Sequence, residues 1–505
     1  MSYIRNNIAV LAIFALVASF AWVYGSTRAE LLPYFVPCLW VIMAEVALCF
    51  PQRRQDENSY TARERVWHDL PRDPLFWVSL TFMGLLCVPF FNIGLCPNCD
   101  ADLLAQGFSA DPPFKLLPFC VNRIQHLNVV LWFGPILTMA LAIKHSLNKS
   151  GKINLVSLVV WNGVALAILG YVQQFFESPG PLWSDIHAPS VDSYFSTFGY
   201  PNMAGDLFTS LFCMAVALWR SQVTACNVEL ASSTVRRVAR HKLFWLKHHD
   251  LIAVGFCFFA AMSTLSRASI ILVSCSAALL AVHTGICFLF KMKKAARVKA
   301  LAVIGGVLVF IAFVVTNFMP SNVQREIDTL STDAVLTRVT GKGQYHTRVA
   351  TEIWKDHPLF GCGGWGYKHF CLFKMTEDEL KHLQTVGGIN VHNDYLQFMA
   401  EHGSVGLALL VIVVIIILWP VGQTWRQMAS AVQFDKHKKY PQPVNFFVCP
   451  AATVALLLAA VCTCIHSFGD CAMRSPAVLS TFFVCIGCAE GFMPTLASES
   501  DDKDK

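Results

Sequence analysis

Residues 251–290 read LIAVGFCFFAAMSTLSRASIILVSCSAALLAVHTGICFLF. As one helix this stretch would extend about 60 Å, roughly twice the hydrocarbon thickness of a bilayer. It must therefore fold back on itself as two membrane helices. Its one polar interruption, STLSRAS, marks the turn and sets Arg267 at a membrane surface. There the guanidinium either snorkels to lipid head groups or faces an anionic ligand at the edge of the bundle.

The rest of the chain has the same character. Of its 505 residues, 55% are hydrophobic and 14% charged, a combination foreign to soluble domains. Apolar runs lie near 7–24, 31–50, 74–95, 127–147, 153–175, 202–219, 250–265, 268–290, 300–318, 404–420, 446–466 and 475–494. Backbone groups in lipid need internal partners, so the runs predict an all-α polytopic membrane protein of about twelve transmembrane helices. The first run has no small-residue cleavage site after its apolar core and reads as a retained span.

The net charge of +6 matters less than its placement. One loop holds Arg53, Arg54, Arg63, Arg65 and Arg72, and a second holds Lys144, Lys149 and Lys152. Further clusters run from Arg220 to Lys247, from Lys291 to Lys299 and from Arg426 to Lys439. All fall on one side if every run crosses once, which makes that side and both termini cytoplasmic.

Three outer loops are long: 96–126, 176–200 and 319–403. The last can fold into helices of its own as a lid, dividing the chain into a bundle (1–318), a lid (319–403), C-terminal helices (404–494) and a tail (495–505). Such an asymmetry suits an enzyme acting outside the lipid better than a transporter. Most of the 19 cysteines lie within spans as small apolar residues. Cys96, Cys99, Cys120, Cys362, Cys371 and Cys471 lie on the outer side, and the Cys96–Cys99 spacing without a second pair favours a disulfide or free thiols over zinc.

Polar residues gather in four outer segments. In YHTRVATEIWKDHPLFGCGGWG, 345–366, a helix ends before Pro358; Arg348 stands at i, i+4 from Glu352, as an exposed pair or a ligand group. Gly361, Gly363 and Gly366 match a dinucleotide fingerprint in form only, because no strand precedes them; a tight turn is the expected use. In VHNDYLQFMAEHGSVG, 391–406, a turn at Gly387 and Gly388 leads to a cap at Asn390 or Asn393. That places His392 at a helix N-terminus, where the dipole favours the neutral ring and the free N–H groups suit a phosphate.

In CIHSFGDCAMRSP, 464–476, His466, Asp470 and Arg474 would share a face if the segment is helical, with a local Asp470–Arg474 pair as the plainer outcome. STFGYPNMAGDLF, 196–208, brings Tyr200, Asn202 and Asp206 to the start of a span. Several arginines, a neutral histidine and a carboxylate at the outer face of a lipid-embedded bundle suit a lipid-linked pyrophosphate, which arginine binds in a forked geometry. Arg267 and Arg348 would stabilise the leaving pyrophosphate, and His392 would deprotonate an attacking hydroxyl. The expected chemistry is glycosyl transfer with no metal and no cofactor.

In order, FGYPNMAGDLF, LSRASI, TRVATEIWKDHPLFGCGGWGYKHF, VHNDYLQFMAEHGSVGLALL and HSFGDCAMRSPAVLS resemble the O-antigen ligase and polymerase superfamily, from about residue 195 to 490. The resemblance implies a GT-C type bundle with a periplasmic lid in the bacterial inner membrane. It also implies inverting transfer of a glycan from undecaprenyl pyrophosphate. The family's essential arginines then match Arg267 and Arg348, its histidine His392 and its late aspartate Asp470. Its early basic residue finds a counterpart in Arg123. Asn202, Asp470 and Arg474 join Arg123 as expected substrate contacts, with Asp394 and Glu401 in support. The acceptor separates a ligase acting on lipid A core, the favoured reading, from a polymerase or a protein O-oligosaccharyltransferase; a transporter of bicarbonate or glycan is the reading from another class.

Overall fold

The computed structural model describes residues 6–23, 35–54, 57–94, 112–184, 194–232, 248–290, 345–386, 389–434 and 450–493. The helices are α1 (Ile8–Trp22), α2 (Phe35–Cys49), α3 (Ser59–Asp69), α4 (Pro74–Cys87), α5 (Arg123–His145), α6 (Lys149–Phe175), α7 (Pro201–Ser232), α8 (Asp250–Ser263) and α9 (Arg267–Phe290). A lid of α10 (Tyr345–Asp356), α11 (Tyr367–Lys374) and α12 (Glu377–Val386) follows, then α13 (Asp394–Phe434), α14 (Ala451–Gly469) and α15 (Pro476–Cys488). No strand occurs among the described residues, where six helices are long and apolar enough to span a bilayer and five shorter ones are comparably apolar. The chain is an all-α polytopic membrane protein.

These eleven helices coincide with the expected spans, except that the span at 300–318 lies outside the described residues. So do the first part of the lid loop (319–344), Cys96, Cys99, Gly387, Gly388 and the acidic tail. The 251–290 segment breaks where the polar interruption required, at Thr264–Ser266, with Leu265 at φ 60°.

Helix α7 is the hub and packs against α6, α8, α9, α14 and α15. Its apolar window is 89% buried, against 17% for that of α13, which lines the lipid-facing side. In lipid, helices associate through close packing rather than through release of water. Ala452, Ala455 and Ala459 accordingly form the buried stripe of α14.

The lid has its own core of Val349, Ile353, Tyr367, Phe370 and Leu383, joined by Phe119 and Val121 from the preceding loop. Val391 and Ala400, at the start of α13, belong to this core and not to that of the bundle. Helix α13 is broken at Gly403, whose φ of 67° and ψ of −178° interrupt the helical ladder. The Ala400 and Glu401 carbonyls instead accept the N–H groups of Cys362 (2.9 Å) and Gly363 (2.8 Å), while Ser404 and Val405 donate to Pro358 (2.9 Å) and Leu359 (3.1 Å). A side chain at Gly403 would collide with the Leu359 carbonyl. The glycine-rich turn is thus the tight turn expected from sequence, and its neighbour is the break in α13.

A second clamp joins the lid to α5. The Gly364 N–H donates to His126 Nδ1 at 2.9 Å, so His126 is the neutral tautomer that donates from Nε2 to the Leu86 carbonyl at 2.7 Å.

Candidate active site at the outer end of the bundle

Asn393 caps α13, its side chain accepting the Leu396 N–H at 3.0 Å. His392 therefore stands immediately before the helix, as its position after the glycine pair suggested. Its φ of 52° lies in the left-handed region, where a residue with a Cβ is held only by its surroundings. Those surroundings form a chain of bonds. Val391 N–H donates to Gln397 Oε1 (3.0 Å), Gln397 Nε2 donates to Glu401 Oε1 (3.2 Å), and Arg474 grips Glu401 with three contacts of 3.0–3.2 Å. Arg474 also stacks on Trp365 of the lid, 4.4 Å from the ring centre.

Asp470 lies 3.3 Å from His392 Nδ1. The same carboxylate accepts the Tyr200 hydroxyl (2.9 Å), the Asn202 amide and the Cys471 N–H (2.7 Å). Burial alone would push this carboxyl up, but the bond to His392, the charge of His466 and the Cys471 N–H hold it well below the usual carboxylate range. An ionised Asp470 takes the proton-bearing Nδ1 of His392, which leaves Nε2 as the ring's acceptor. Asp394 accepts the Met473 N–H at 2.7 Å and so ties the start of α13 to the turn after α14.

One expectation is corrected here. Helix α14 ends at Gly469 and Asp470 is extended (φ −157°), so His466, Asp470 and Arg474 share no helical face and Asp470 pairs with His392 rather than Arg474. Asn202, Asp470 and Arg474 are engaged with protein groups and build the frame around His392. Arg348 pairs with Glu352 (2.8 Å) and Glu379 (2.7 Å) on the lid, and no described contact joins it to the His392 cluster. Arg123 is exposed at the first residue of α5.

Arg267 is half-buried at the first residue of α9. Gly205 lets Ser269 of that same turn close on α7, since a side chain there would overlap the serine hydroxyl. The Arg267 turn is thereby packed onto the helix that carries Asn202. Deeper between α7 and α14 lies a second pair. His466 Nδ1 stands 3.2 Å from Asp206 Oδ1, and the Thr463 hydroxyl donates to Asp206 at 2.8 Å. Both residues had been visible in the sequence, but nothing local indicated that they meet.

His392, Asp470 and Cys471 place potential ligand atoms within 4.8 Å of one another. Burial and the adjacent charge of Asp470 push the Cys471 thiol well above its ordinary range. Cys120, Cys362 and Cys371, which were also expected on the outer side, are likewise buried free thiols.

Beside this cluster a 240 Å³ cavity runs down between α5, α13 and α15. Asp394, Glu401 and Arg474 form its polar end, and Phe398, Leu410, Val414 and Phe482 its apolar walls.

The fold and the site define the class: an all-α polytopic membrane protein with a polar cluster at one end of its bundle, next to an apolar cavity. Residues 252–440 match the family model described as O-antigen ligase, so this stretch of the chain is similar to that family. The match takes in Arg267, Arg348 and His392 and stops short of Asp470. Among curated proteins, none matches the chain.

Proposed function

We propose that the protein transfers a glycan from undecaprenyl pyrophosphate to an acceptor hydroxyl, as an O-antigen ligase acting on lipid A core. It does so from the bacterial inner membrane, as a GT-C type bundle of about twelve spans with a periplasmic site and both termini cytoplasmic. The reading rests above all on the His392–Asp470 pair at 3.3 Å. In this scheme the acceptor oxygen attacks the anomeric carbon with inversion while His392 Nε2 takes its proton. The bond to pyrophosphate breaks, and the fork of Arg267 stabilises the departing charge. Arg348 joins it by exchanging Glu352 and Glu379 for the donor, and Arg123 lies at the rim for the acceptor. The apolar cavity beside the cluster suits a lipid chain, and the description of the matching family favours ligase over polymerase.

The test is purified protein given undecaprenyl-pyrophosphate glycan and a panel of acceptors, with and without EDTA. Transfer to lipid A core that survives EDTA and disappears in His392→Ala is the expected result. Near wild-type transfer by that variant would remove the general-base role, and strict dependence on added metal would overturn the metal-free scheme.

A further inference from the structure

The thiol of Cys471 has no part in the proposed transfer, yet it lies beside both members of the dyad. Its Sγ stands 3.4 Å from Asp470 Oδ1, the same oxygen that lies 3.3 Å from His392 Nδ1. The third edge of this triangle, from Nδ1 to Sγ, is within 4.8 Å. Among the described residues, no other three His, Cys, Asp or Glu side chains bring ligand atoms so close together. They come from segments far apart in the chain, the start of α13 and the end of α14.

These spacings are close to those a tetrahedral metal requires. Bonds of about 2.0–2.3 Å to nitrogen, oxygen and sulfur hold the donor atoms of such an ion about 3.3–3.6 Å apart. Two edges already have that length, and a turn of the partly exposed His392 ring closes the third. The outer contacts that orient a ligating carboxylate are also in place, since Asp470 accepts the Tyr200 hydroxyl (2.9 Å) and the Asn202 amide. The His392 side chain is 40% exposed, which gives an ion its way in and leaves room for water as a fourth ligand.

The donor set selects the ion. Imidazole, thiolate and carboxylate suit Zn²⁺, whereas Mg²⁺ and Ca²⁺ take oxygen ligands. On binding, the thiol releases its proton to solvent and the Nδ1 proton of His392 moves to Nε2. Zn²⁺ with one thiolate, one carboxylate and one neutral imidazole then has no net charge, which keeps down the cost of holding it beside buried groups.

We propose that His392, Asp470 and Cys471 form a zinc site that switches the dyad off. The switch rests on the general-base reading of His392: with zinc on Nδ1 the ring carries its proton on Nε2, and no nitrogen is left to accept one from a hydroxyl. The site itself needs no glycan chemistry, and its binding is measured without donor or acceptor. Purified full chain, treated with EDTA and freed of the chelator, is titrated with Co²⁺ as a spectroscopic substitute, then with Zn²⁺ in competition with a chromogenic chelator. Co²⁺ should bring up a saturable sulfur-to-cobalt charge-transfer band in the near ultraviolet, which Zn²⁺ removes and Mg²⁺ does not. Cys471→Ser should abolish the band. Both Cys471→Ser and His392→Ala should weaken zinc binding by more than about 100-fold, since even a lost outer-shell partner costs about 10–100-fold. His392→Ala changes an accessible side chain and so tests the site even where the serine variant fails to fold, which the unfolding temperatures of the metal-free variants report. No saturable band, a band that persists in Cys471→Ser, or equal zinc affinity in variants and wild type would overturn the site. In the transfer assay, zinc should stop the wild type at the concentration that fills the site, and EDTA should restore it. Transfer unaffected by bound zinc would overturn the switch, whereas absence of transfer by the metal-free protein would count against the proposed activity alone.

Discussion

His392–Asp470 and His466–Asp206 are built from the same two side chains at almost the same separation, 3.3 Å and 3.2 Å. Their surroundings differ. The His392 side chain is 40% exposed over a buried carboxylate, whereas His466 and Asp206 are 1% and 0% exposed between α7 and α14. A base must reach its substrate, so only the first pair can exchange a proton with a hydroxyl arriving from outside. The second holds together two helices that otherwise meet through alanines and other small side chains. An ionisable pair inside a membrane bundle is costly to keep and more costly to break.

Substitution should separate the two pairs. His392→Ala should lower glycan transfer by about 10²–10⁴-fold, the usual range for a lost general base, with insertion unchanged. Asp470→Asn should cost about 10²-fold, because the ring loses the partner that fixes its tautomer. The carboxyl of Asp470 lies below its unfolded value, so its contribution to stability is complete above about pH 4 and fades as pH falls through the folded value. The unfolding-temperature gap between wild type and Asp470→Asn should accordingly narrow between pH 7 and pH 3; a constant gap would mean that ionisation is not the source.

Asp206→Asn should reverse the pattern. Its expected loss is about 3 kcal/mol of stability, with transfer by the folded fraction nearly unchanged. A large drop in turnover without unfolding would erase the contrast between the pairs. Gly403→Ala should destabilise the lid junction by about 1–3 kcal/mol, visible as faster proteolysis within 345–386. The smallest effect is expected for Arg348→Lys: about 1 kcal/mol or less in stability, since its ion pairs are exposed, and roughly ten-fold in transfer. Unchanged transfer would restrict Arg348 to pairing within the lid.

Local pattern was enough to anticipate the spans among the described residues, the turn before Arg267, a cap at Asn390 or Asn393, of which the fold uses Asn393, and the glycine turn. Each follows from apolar period, from length against bilayer thickness, or from a residue with a specific backbone role. The site's wiring was not legible in this way. Asp470 finds Tyr200 and Asn202 some 270 positions away, and Arg474 finds Glu401 rather than its near neighbour. Such pairings depend on helix packing, which leaves no periodic trace. Gly469 did carry a local warning, since a glycine at that point favours the end of α14 over the continuous face drawn through Asp470 and Arg474.

The break at Gly403 has a mechanical meaning. Residues 394–402 form a short stub that shares hydrogen bonds with the glycine turn and hydrophobic core with the lid, while the membrane-spanning part of α13 begins beyond it. His392 directly precedes that stub, and Asp470 follows the last residue of α14 on the bundle side. The two halves of the dyad thus come from different hydrophobic cores, and the pair exists only where those cores meet.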